Sequence, residues 1–323
     1  MESPSSTITA ALHGRAVCVT GGAGFIGSHL VEALLEHGAT VRVIDDLSSG
    51  RLDVLPLADP RLKVYEGSIL DSRLLQGAIA GCELVFHHAA LVSVHESLDR
   101  PDDYRRVNVE GTRRVLEASA SIGVRRLVYA ASCSAYGDVQ GLPQHETDPV
   151  DPTSPYATTK LDGELLVEDH AMSSGLDTVR LRYFNIFGPR QSHESAYAAV
   201  VPNFIAALES GRTPVIYGDG LQTRDFIHVL DVVDANLLAA TCPGPLRGRV
   251  INIGSGRRVS ILGVLESLAG AYGRSVVPDH QPPREGEVRD SEACTDLARM
   301  LIGFESKRSL ADSVDEIRTS SRS

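Results

Sequence analysis

The stretch AVCVTGGAGFIG, residues 16–27, decides the fold of this chain. A short apolar run, Ala16–Thr20, leads into a glycine turn, and apolar residues at helical spacing follow over Phe25–His37. A turn without Cβ atoms allows a pyrophosphate to approach the N-terminus of the helix behind it. The stretch therefore predicts the strand, phosphate-binding turn and helix that open a dinucleotide-binding fold. The glycines of this G-x-x-G-x-x-G pattern are Gly21, Gly24 and Gly27.

Apolar runs typical of strands buried on both faces recur along the chain and alternate with helical patterns, for example over Asn108–Ile122 and Ala157–Ser173. Strands that alternate with helices indicate an α/β fold with a doubly wound parallel sheet, as in Rossmann domains. The predicted strands are Ala16–Thr20, Val41–Asp45, Leu62–Glu66, Leu84–His88, Arg126–Ala130, Thr178–Arg182 and Val250–Ile253.

The pattern loosens after about Tyr183, where glycine and proline become frequent. We expect a dinucleotide-binding domain formed by residues 15–182 and 221–258. A smaller substrate-binding region would be formed by residues 183–220 and 259–318. Within this division, Thr223–Ile253 is predicted to return to the main sheet.

Composition excludes several classes of protein. The 323 residues include 31 basic and 42 acidic side chains, so the formal net charge is −11. An acidic chain argues against general nucleic-acid binding, and no apolar run approaches the ~20 residues of a membrane span. The five cysteines form no C-x-x-C pair, which predicts reduced thiols, no metal site and a cytoplasmic protein.

Asp45 ends the second predicted strand, 18 residues after Gly27. A carboxylate at this point can accept hydrogen bonds from ribose hydroxyls and would repel a 2′-phosphate. The pattern therefore favours NAD over NADP as the cofactor.

Tyr156 and Lys160 lie four residues apart, directly after Ser154-Pro155. Proline fits the first turn of a helix, so both side chains are expected on one helical face. A nearby ammonium favours the phenolate form, which would make Tyr156 a usable base. Only Lys63, Lys160 and Lys307 are lysines among the 31 basic residues, so a lysine at this point is notable.

Ser132 and Ser134 follow the strand predicted over Arg126–Ala130. The carboxyl end of a parallel strand is where doubly wound sheets place their ligands. We therefore expect the two hydroxyls to face a reacting oxygen.

Together these motifs resemble the extended short-chain dehydrogenase/reductase family, and within it the NAD-dependent nucleotide-sugar epimerases and dehydratases. The similarity runs from about Ala16 to Leu310 and is closest to UDP-hexose 4-epimerases, especially those that act on N-acetylated sugars. Its motifs are TGGAGFIG, DDLSSG, HHAA, NVEGT, AASCSAYGD, SPYATTK, RYFNIFGPR, AYAAVVP, GDGLQTRDFIHV and REGEVRDS.

The resemblance implies roles for individual residues. Catalysis would rest on Ser132, Tyr156 and Lys160, with Ser132 preferred to Ser134. Tightly bound NAD would be held by Gly21, Gly24, Phe25, Ile26, Gly27, Asp45, Ser68, Ile69, Ala89, Ala90, Asn108, Tyr156 and Lys160. A UDP-sugar would be held by Ser134, Asn185, Tyr217, Arg224, Arg284 and Ser291.

Two positions depart from the family pattern. Ser68 follows Gly67 where the family usually has an aspartate near the adenine, and Cys133 stands where serine is common. Because of the first departure, the sequence does not determine which residue contacts the adenine end of the cofactor.

The resemblance implies epimerisation at C4 of a UDP-hexose through a 4-keto intermediate, by a homodimer. The small Ser291 aligns with a position that faces the sugar C2 region, so UDP-GlcNAc/UDP-GalNAc is expected, with UDP-Glc/UDP-Gal also accepted. The alternatives are a UDP-glucuronate 4-epimerase or decarboxylase, a nucleotide-sugar 4,6-dehydratase and a non-catalytic NAD-sensing regulator. A dehydratase of this family has Asp-Glu after its catalytic threonine, whereas Cys133 and Ser134 follow Ser132 here.

Overall fold

The computed structural model describes residues 4–138, 141–191, 199–283 and 288–320. Its strands alternate with helices along the first two thirds of the chain, as the sequence predicts. The strands are β1 (Ala16–Thr20), β2 (Thr40–Asp45), β3 (Leu62–Glu66), β4 (Leu84–His87), β5 (Arg126–Ser132), β6 (Asp177–Tyr183), β7 (Asn185–Phe187), β8 (Val215–Tyr217), β9 (Thr223–His228), β10 (Arg249–Ile253), β11 (Arg258–Ser260) and β12 (Asp279–Gln281).

The main sheet of the described residues has seven parallel strands in the order β10-β6-β5-β4-β1-β2-β3. The chain leaves β1 towards β2 and β3, and then returns to build outward from β4 on the other side of β1. This reversal opens a crevice at the carboxyl ends of β1 and β4, where ligands bind in such folds. The predicted doubly wound α/β fold is confirmed.

Helices cover both faces of the main sheet, and each face has its own apolar core. The helices are α1 (Pro4–Leu12), α2 (Phe25–Glu36), α3 (Ser72–Ile79), α4 (Val94–Asp99), α5 (Pro101–Tyr104), α6 (Thr112–Ile122), α7 (Pro155–Ser173), α8 (Val200–Ser210), α9 (Val229–Thr241), α10 (Ile261–Ala271), α11 (Asp296–Ile302) and α12 (Leu310–Ser320).

The helix predicted over Asn108–Ile122 has two parts. A π-helical segment, Arg105–Gly111, precedes α6 and lies inside a continuous helical run. Such wide turns are frequent at functional sites, and this one carries Asn108.

The later part of the chain forms a smaller region with a separate apolar core, in which Phe187, Phe204 and Phe226 pack against α10 and α12. The predicted return of Thr223–Ile253 to the main sheet holds only for β10. Strand β9 instead pairs with β7 and β11 in a small separate sheet. Strand β9 lies between the two cores, because it packs Phe226 into the smaller one and Ile227 into the larger one, whereas Ile251 and Ile253 of β10 are both buried in the larger one.

Helix α7 carries the predicted Tyr156 and Lys160. Ser154 caps its N-terminus by accepting a hydrogen bond from the Ala157 N–H at 3.2 Å, and Pro155 occupies the first turn. The helix packs closely on β5 because Gly163 has no side chain: a Cβ there would lie 2.1 Å from the hydroxyl oxygen of Tyr129.

We predict that Gly163→Ala destabilises the protein by about 1–3 kcal/mol, because the added methyl group forces α7 away from β5. Gly270→Ala in α10 is the matched control, since a Cβ there meets no atom within 4 Å. That change should be neutral or stabilising by up to ~1 kcal/mol. Thermal or urea unfolding measures both variants, and equal stability changes would contradict the predicted contact.

Candidate active site

The glycine turn lies at the carboxyl end of β1 and begins helix α2. Gly27 approaches Gly21 so closely that a Cβ on Gly27 would lie 2.1 Å from the Gly21 carbonyl oxygen. Gly21 has φ +69°, and its own Cβ would lie 2.7 Å from the Ala89 N atom after β4. Gly27 therefore brings the first turn of α2 against the end of β1, and Gly21 brings the ends of β1 and β4 together. A Cβ on Gly24, the N-cap residue of α2, would meet only the Gly21 oxygen at 3.3 Å, so the space before this helix stays open.

Phe25 and Ile26 form the first turn of α2, so their N–H groups lie at its positive end. An anionic group before this turn is stabilised by those donors. The turn is therefore built to hold a phosphate.

Asp45 is buried at the end of β2 and braces this turn. One carboxylate oxygen accepts the Ala23 N–H at 2.9 Å, and the other accepts the Leu47 N–H at 2.9 Å. Burial raises the pKa of Asp45, and these two hydrogen bonds oppose that rise. Each oxygen keeps a lone pair that can accept a ribose hydroxyl.

The loop after β4 brings Ala89 and Ala90 to the crevice. Beneath this loop, the Asn108 side chain exchanges two hydrogen bonds with the backbone of Leu91, at 2.8 and 3.0 Å. It also donates to the Thr159 hydroxyl at 3.1 Å. Because its amide is engaged in this way, we infer that Asn108 holds the loop for the cofactor.

His87 ends β4 and links this loop to the helices below it. The Ala89 N–H donates to the Thr20 hydroxyl at 3.1 Å, and that hydroxyl lies 2.7 Å from His87 Nδ1. On the other side, His87 Nε2 lies 3.0 Å from the Thr112 hydroxyl, which donates to the Asn108 carbonyl oxygen at 2.6 Å. Because the Thr112 proton is already used, His87 must donate from Nε2 and accept at Nδ1. Burial lowers the pKa of His87 to about 3, which keeps the ring neutral.

Ser68 and Ile69 follow β3 on the far side of the crevice. The Ser68 hydroxyl accepts the Leu70 N–H at 3.2 Å. Ile69 is buried against Gly111, where an added Cβ would lie 2.5 Å from the Ile69 Cδ1 atom. The loop is thus held without the family's usual aspartate.

Ser132 ends β5 opposite the first turn of α7. Its oxygen accepts hydrogen bonds from the Ser134 hydroxyl at 2.9 Å and from the Ser134 N–H at 3.2 Å. Since both of these donors belong to Ser134, the Ser132 proton remains available for another oxygen. Ser132 lies near enough to the Tyr156 hydroxyl to lower the pKa of the phenol.

The sequence predicts that Lys160 lowers the pKa of Tyr156, but the structure shows a different balance of effects. In the protein alone, burial raises the pKa of Tyr156 to about 12, and nearby Ser132 is what lowers it. Desolvation of the phenolate therefore outweighs the ammonium one turn away. A further positive charge near the phenol would favour the phenolate.

Lys160 is buried beneath Tyr156 with its Nζ atom 4.8 Å from the centroid of the Tyr129 ring. Burial lowers the pKa of Lys160 to about 8, and the Glu164 carboxylate opposes this fall. The side chain is therefore mostly charged at neutral pH.

The predicted substrate residues lie across the crevice from the cofactor loops. Asn185 on β7 donates to the Asp225 carbonyl oxygen at 3.2 Å and lies 3.5 Å from the hydroxyl of Ser291, which is buried. Arg224 on β9 donates to the Arg289 carbonyl oxygen at 3.0 Å. Tyr217 ends β8 and is exposed at the outer edge of this group. Arg284 lies outside the described residues.

Two charged residues beneath the site, Glu164 and Arg182, were missed by the sequence reasoning, as was His87. A signal for Glu164 exists, because it follows Lys160 by four residues and so shares the buried face of α7. His87 ends an otherwise apolar strand, and Arg182 is one of two buried arginines on β6. A polar residue buried in a central strand needs a partner.

Within the described ranges, no cluster of three or more His, Cys, Asp or Glu side chains could hold a metal ion. In the same part of the chain, no helix combines the length and the apolar character that crossing a membrane requires.

The family model described as the NAD dependent epimerase/dehydratase family matches residues 17–254. This chain belongs to that family. The resemblance drawn from the motifs is thereby confirmed, and the chain is an enzyme whose cofactor is NAD.

Individual relatives cover nearly the whole chain. The UDP-glucose 4-epimerase of Mycolicibacterium smegmatis is 40% identical over 301 residues, which are 92% of this chain and 95% of the relative. A UDP-glucose 4-epimerase of Thermotoga maritima, solved with UDP-glucose, is 37% identical with a TM-score of 0.90, over 95% of this chain and 98% of that one. A UDP-N-acetylglucosamine 4-epimerase of Methanobrevibacter ruminantium M1, solved with UDP-N-acetylmuramic acid, is 34% identical with a TM-score of 0.90, over 95% and 99%.

The residues of the crevice fit NAD. The open space before α2 suits a pyrophosphate, and Asp45 stands where a ribose would lie. Lys160, on the same helix as Tyr156, would hold a second ribose with its ammonium.

We predict that Asp45→Asn weakens NAD binding at least tenfold, because the amide accepts fewer ribose hydrogen bonds and loosens the glycine turn. NADP should lose less affinity than NAD, since the repulsion of its 2′-phosphate is removed. Isothermal titration of cofactor-stripped protein measures both. Asp99→Asn, at the exposed end of α4, is the control. An unchanged ratio of the two affinities would contradict the assignment.

Proposed function

We propose that this enzyme inverts the C4 configuration of a UDP-hexose through a 4-keto intermediate. The observation that carries the proposal is the grouping of Ser132, Tyr156 and Lys160 at the carboxyl ends of the central strands, beside the phosphate-binding turn. The names of the relatives support the same reaction class.

Bound NAD supplies the acceptor and donor of the hydride at C4. The residues of this chain move the proton. Tyr156 takes the proton of the C4 hydroxyl at its phenol oxygen, while the Ser132 O–H orients toward the same substrate oxygen. Ser134 keeps the Ser132 oxygen in place by donating to it. Lys160 and the positive charge of the oxidised cofactor together favour the phenolate that burial disfavours.

The UDP part anchors the molecule while the sugar turns to present its other face. Arg224 brings positive charge to a diphosphate inside an acidic protein, and Arg284 is proposed for the same role from the sequence. Tyr217 is exposed at the outer edge, where a uracil ring could pack. Binding energy remote from C4 thus retains the 4-keto sugar between the two half-reactions.

For the substrate, we propose UDP-GlcNAc/UDP-GalNAc, with UDP-Glc/UDP-Gal also accepted. Ser291 supports this, because a small side chain next to Asn185 leaves volume that a bulky residue would fill. Cys133 and Ser134 follow Ser132, so the chain lacks the acid-base pair that a dehydratase has at this point. This disfavours the dehydratase alternative. The homodimer and the cytoplasmic location stay predictions.

We predict that Tyr156→Phe lowers turnover by about 10²–10⁴-fold, because the proton at C4 loses its acceptor. UDP binding should change little, since the hydroxyl is remote from the diphosphate site. NMR of UDP-hexose interconversion and calorimetry with UDP measure the two effects. Tyr65→Phe, on β3, is the matched control. Turnover near the wild-type level in Tyr156→Phe would refute the mechanism.

We predict that Ser291→Tyr lowers turnover of UDP-GlcNAc roughly tenfold more than turnover of UDP-Glc, because the ring occupies the space of the acetamido group. Parallel NMR assays on the two sugars give the ratio. Ser291→Ala keeps the volume and should leave the ratio unchanged, and a melting curve checks that the buried tyrosine is tolerated. Equal losses on both sugars would contradict this role.

A further inference from the structure

A buried ion pair lies beneath the catalytic face of α7. Glu164, one turn after Lys160, has a side-chain exposure of 0%, and Arg182 on β6 has 5%. Arg182 donates to both carboxylate oxygens, with Nε at 2.9 and 3.1 Å and Nη2 at 2.7 Å. Removing two charges from water is costly, and only a fixed geometry with well-formed hydrogen bonds offsets that cost.

The position of Arg182 is fixed on its other side as well. Its guanidinium carbon lies 4.6 Å from the centroid of the Tyr136 ring, and its Nη1 atom is buried with no hydrogen-bond partner in the described part of the chain. The Tyr136 hydroxyl is itself held, since it donates to Asn252 at 2.7 Å. The guanidinium of Arg182 is thus held between Tyr136 and Glu164.

Lys160 has few charged neighbours. Burial lowers the pKa of His87 to about 3 and that of His88 to about 4, so both rings are neutral. Glu164, one turn further along the same buried face of α7, is then the charge that stabilises the ammonium. Arg182 lies behind this carboxylate and binds both of its oxygens. The titratable or charged groups around Lys160 are Tyr156 and Glu164 on α7, Tyr129 on β5, His87 and His88 at the end of β4, and Arg182 on β6 behind Glu164.

We propose that Glu164 and Arg182 are positioning residues that together set the charge of Lys160. Glu164 keeps the buried amine protonated. Arg182 occupies both oxygens of Glu164, so the carboxylate acts on Lys160 through space and does not pull the ammonium out of the site. Lys160 thus stays charged and keeps its N–H donors for a ligand hydroxyl.

The chain is suited to a direct test, because it contains only three lysines. Protein labelled with ¹³C at lysine Cε gives three side-chain NMR signals, whose shifts follow the protonation of each amine. Lys160→Met assigns the signal of interest, and exposed Lys63 and Lys307 serve as internal references. The wild-type midpoint for Lys160 is expected near pH 8.

The two single variants should move this midpoint in opposite directions. Glu164→Gln removes the attraction and leaves the repulsion of Arg182, so the midpoint falls by about one unit or more. Arg182→Gln leaves an unneutralised carboxylate, so the midpoint rises. A merely structural pair would admit water in both variants and raise both midpoints, and that result, or no shift in either, would overturn the proposal.

Removing one partner of a buried pair can prevent folding. The double variant Glu164→Gln/Arg182→Met avoids an uncompensated charge. Because Glu164 shares the buried face of α7 with Lys160, whereas Arg182 lies behind it on β6, loss of the carboxylate should dominate and the midpoint should fall below wild type. A midpoint at or above wild type would overturn the proposal without the single variants.

Turnover provides a second readout, which rests on the proposed function. Glu164→Gln should lose several-fold more activity at pH 8 than at pH 6.5, since its Lys160 is neutral at the higher pH. Opposite NMR shifts in a protein without epimerase activity would refute the proposed function and leave this inference standing.

Discussion

The contact between Gly27 and Gly21 is the constraint on which the rest of this structure depends. With any side chain at Gly27, the first turn of α2 could not lie against the end of β1, since a Cβ would come within 2.1 Å of a carbonyl oxygen. This approach fixes where the helix N-terminus points and, through Asp45 and the Ala23 N–H, how the turn is braced. The neighbouring contact between Gly21 and Ala89 brings the ends of β1 and β4 together at the same place.

Burial works against the chemistry at the opposite wall of this crevice. Desolvation raises the pKa of Tyr156 and lowers that of Lys160, so it disfavours both of the charged forms that the proposed proton transfer requires. The surroundings oppose this effect with specific contacts: Ser132 for the phenol, and Glu164 for the amine. Neutral His87 and His88 add no positive charge beside Lys160. The site therefore depends on a few short-range interactions in a dry environment, where each has a large effect.

Much of this arrangement follows from local patterns in the chain. The seven strands of the main sheet appear in the sequence as apolar runs, and their predicted bounds agree with the structure to within two residues. The glycine turn, Asp45 and the Tyr156–Lys160 pair are equally local, because each depends on spacings within one turn or one helix. The strand Thr223–His228 was assigned to the wrong sheet, because its apolar run does not reveal which core Phe226 enters.

By itself, the sequence determined the class of fold, the family and the cofactor, because helix and strand periods and a phosphate-binding turn are properties of short segments. Only the tertiary structure decided how Lys160 is charged and held. Glu164 and Arg182 are 18 residues apart, and Tyr129 and Lys160 are 31 apart. Such contacts depend on which strands become neighbours in the sheet. Burial removes water from these groups and so sets which of them are charged. The spacing of residues along the chain does not predict this burial.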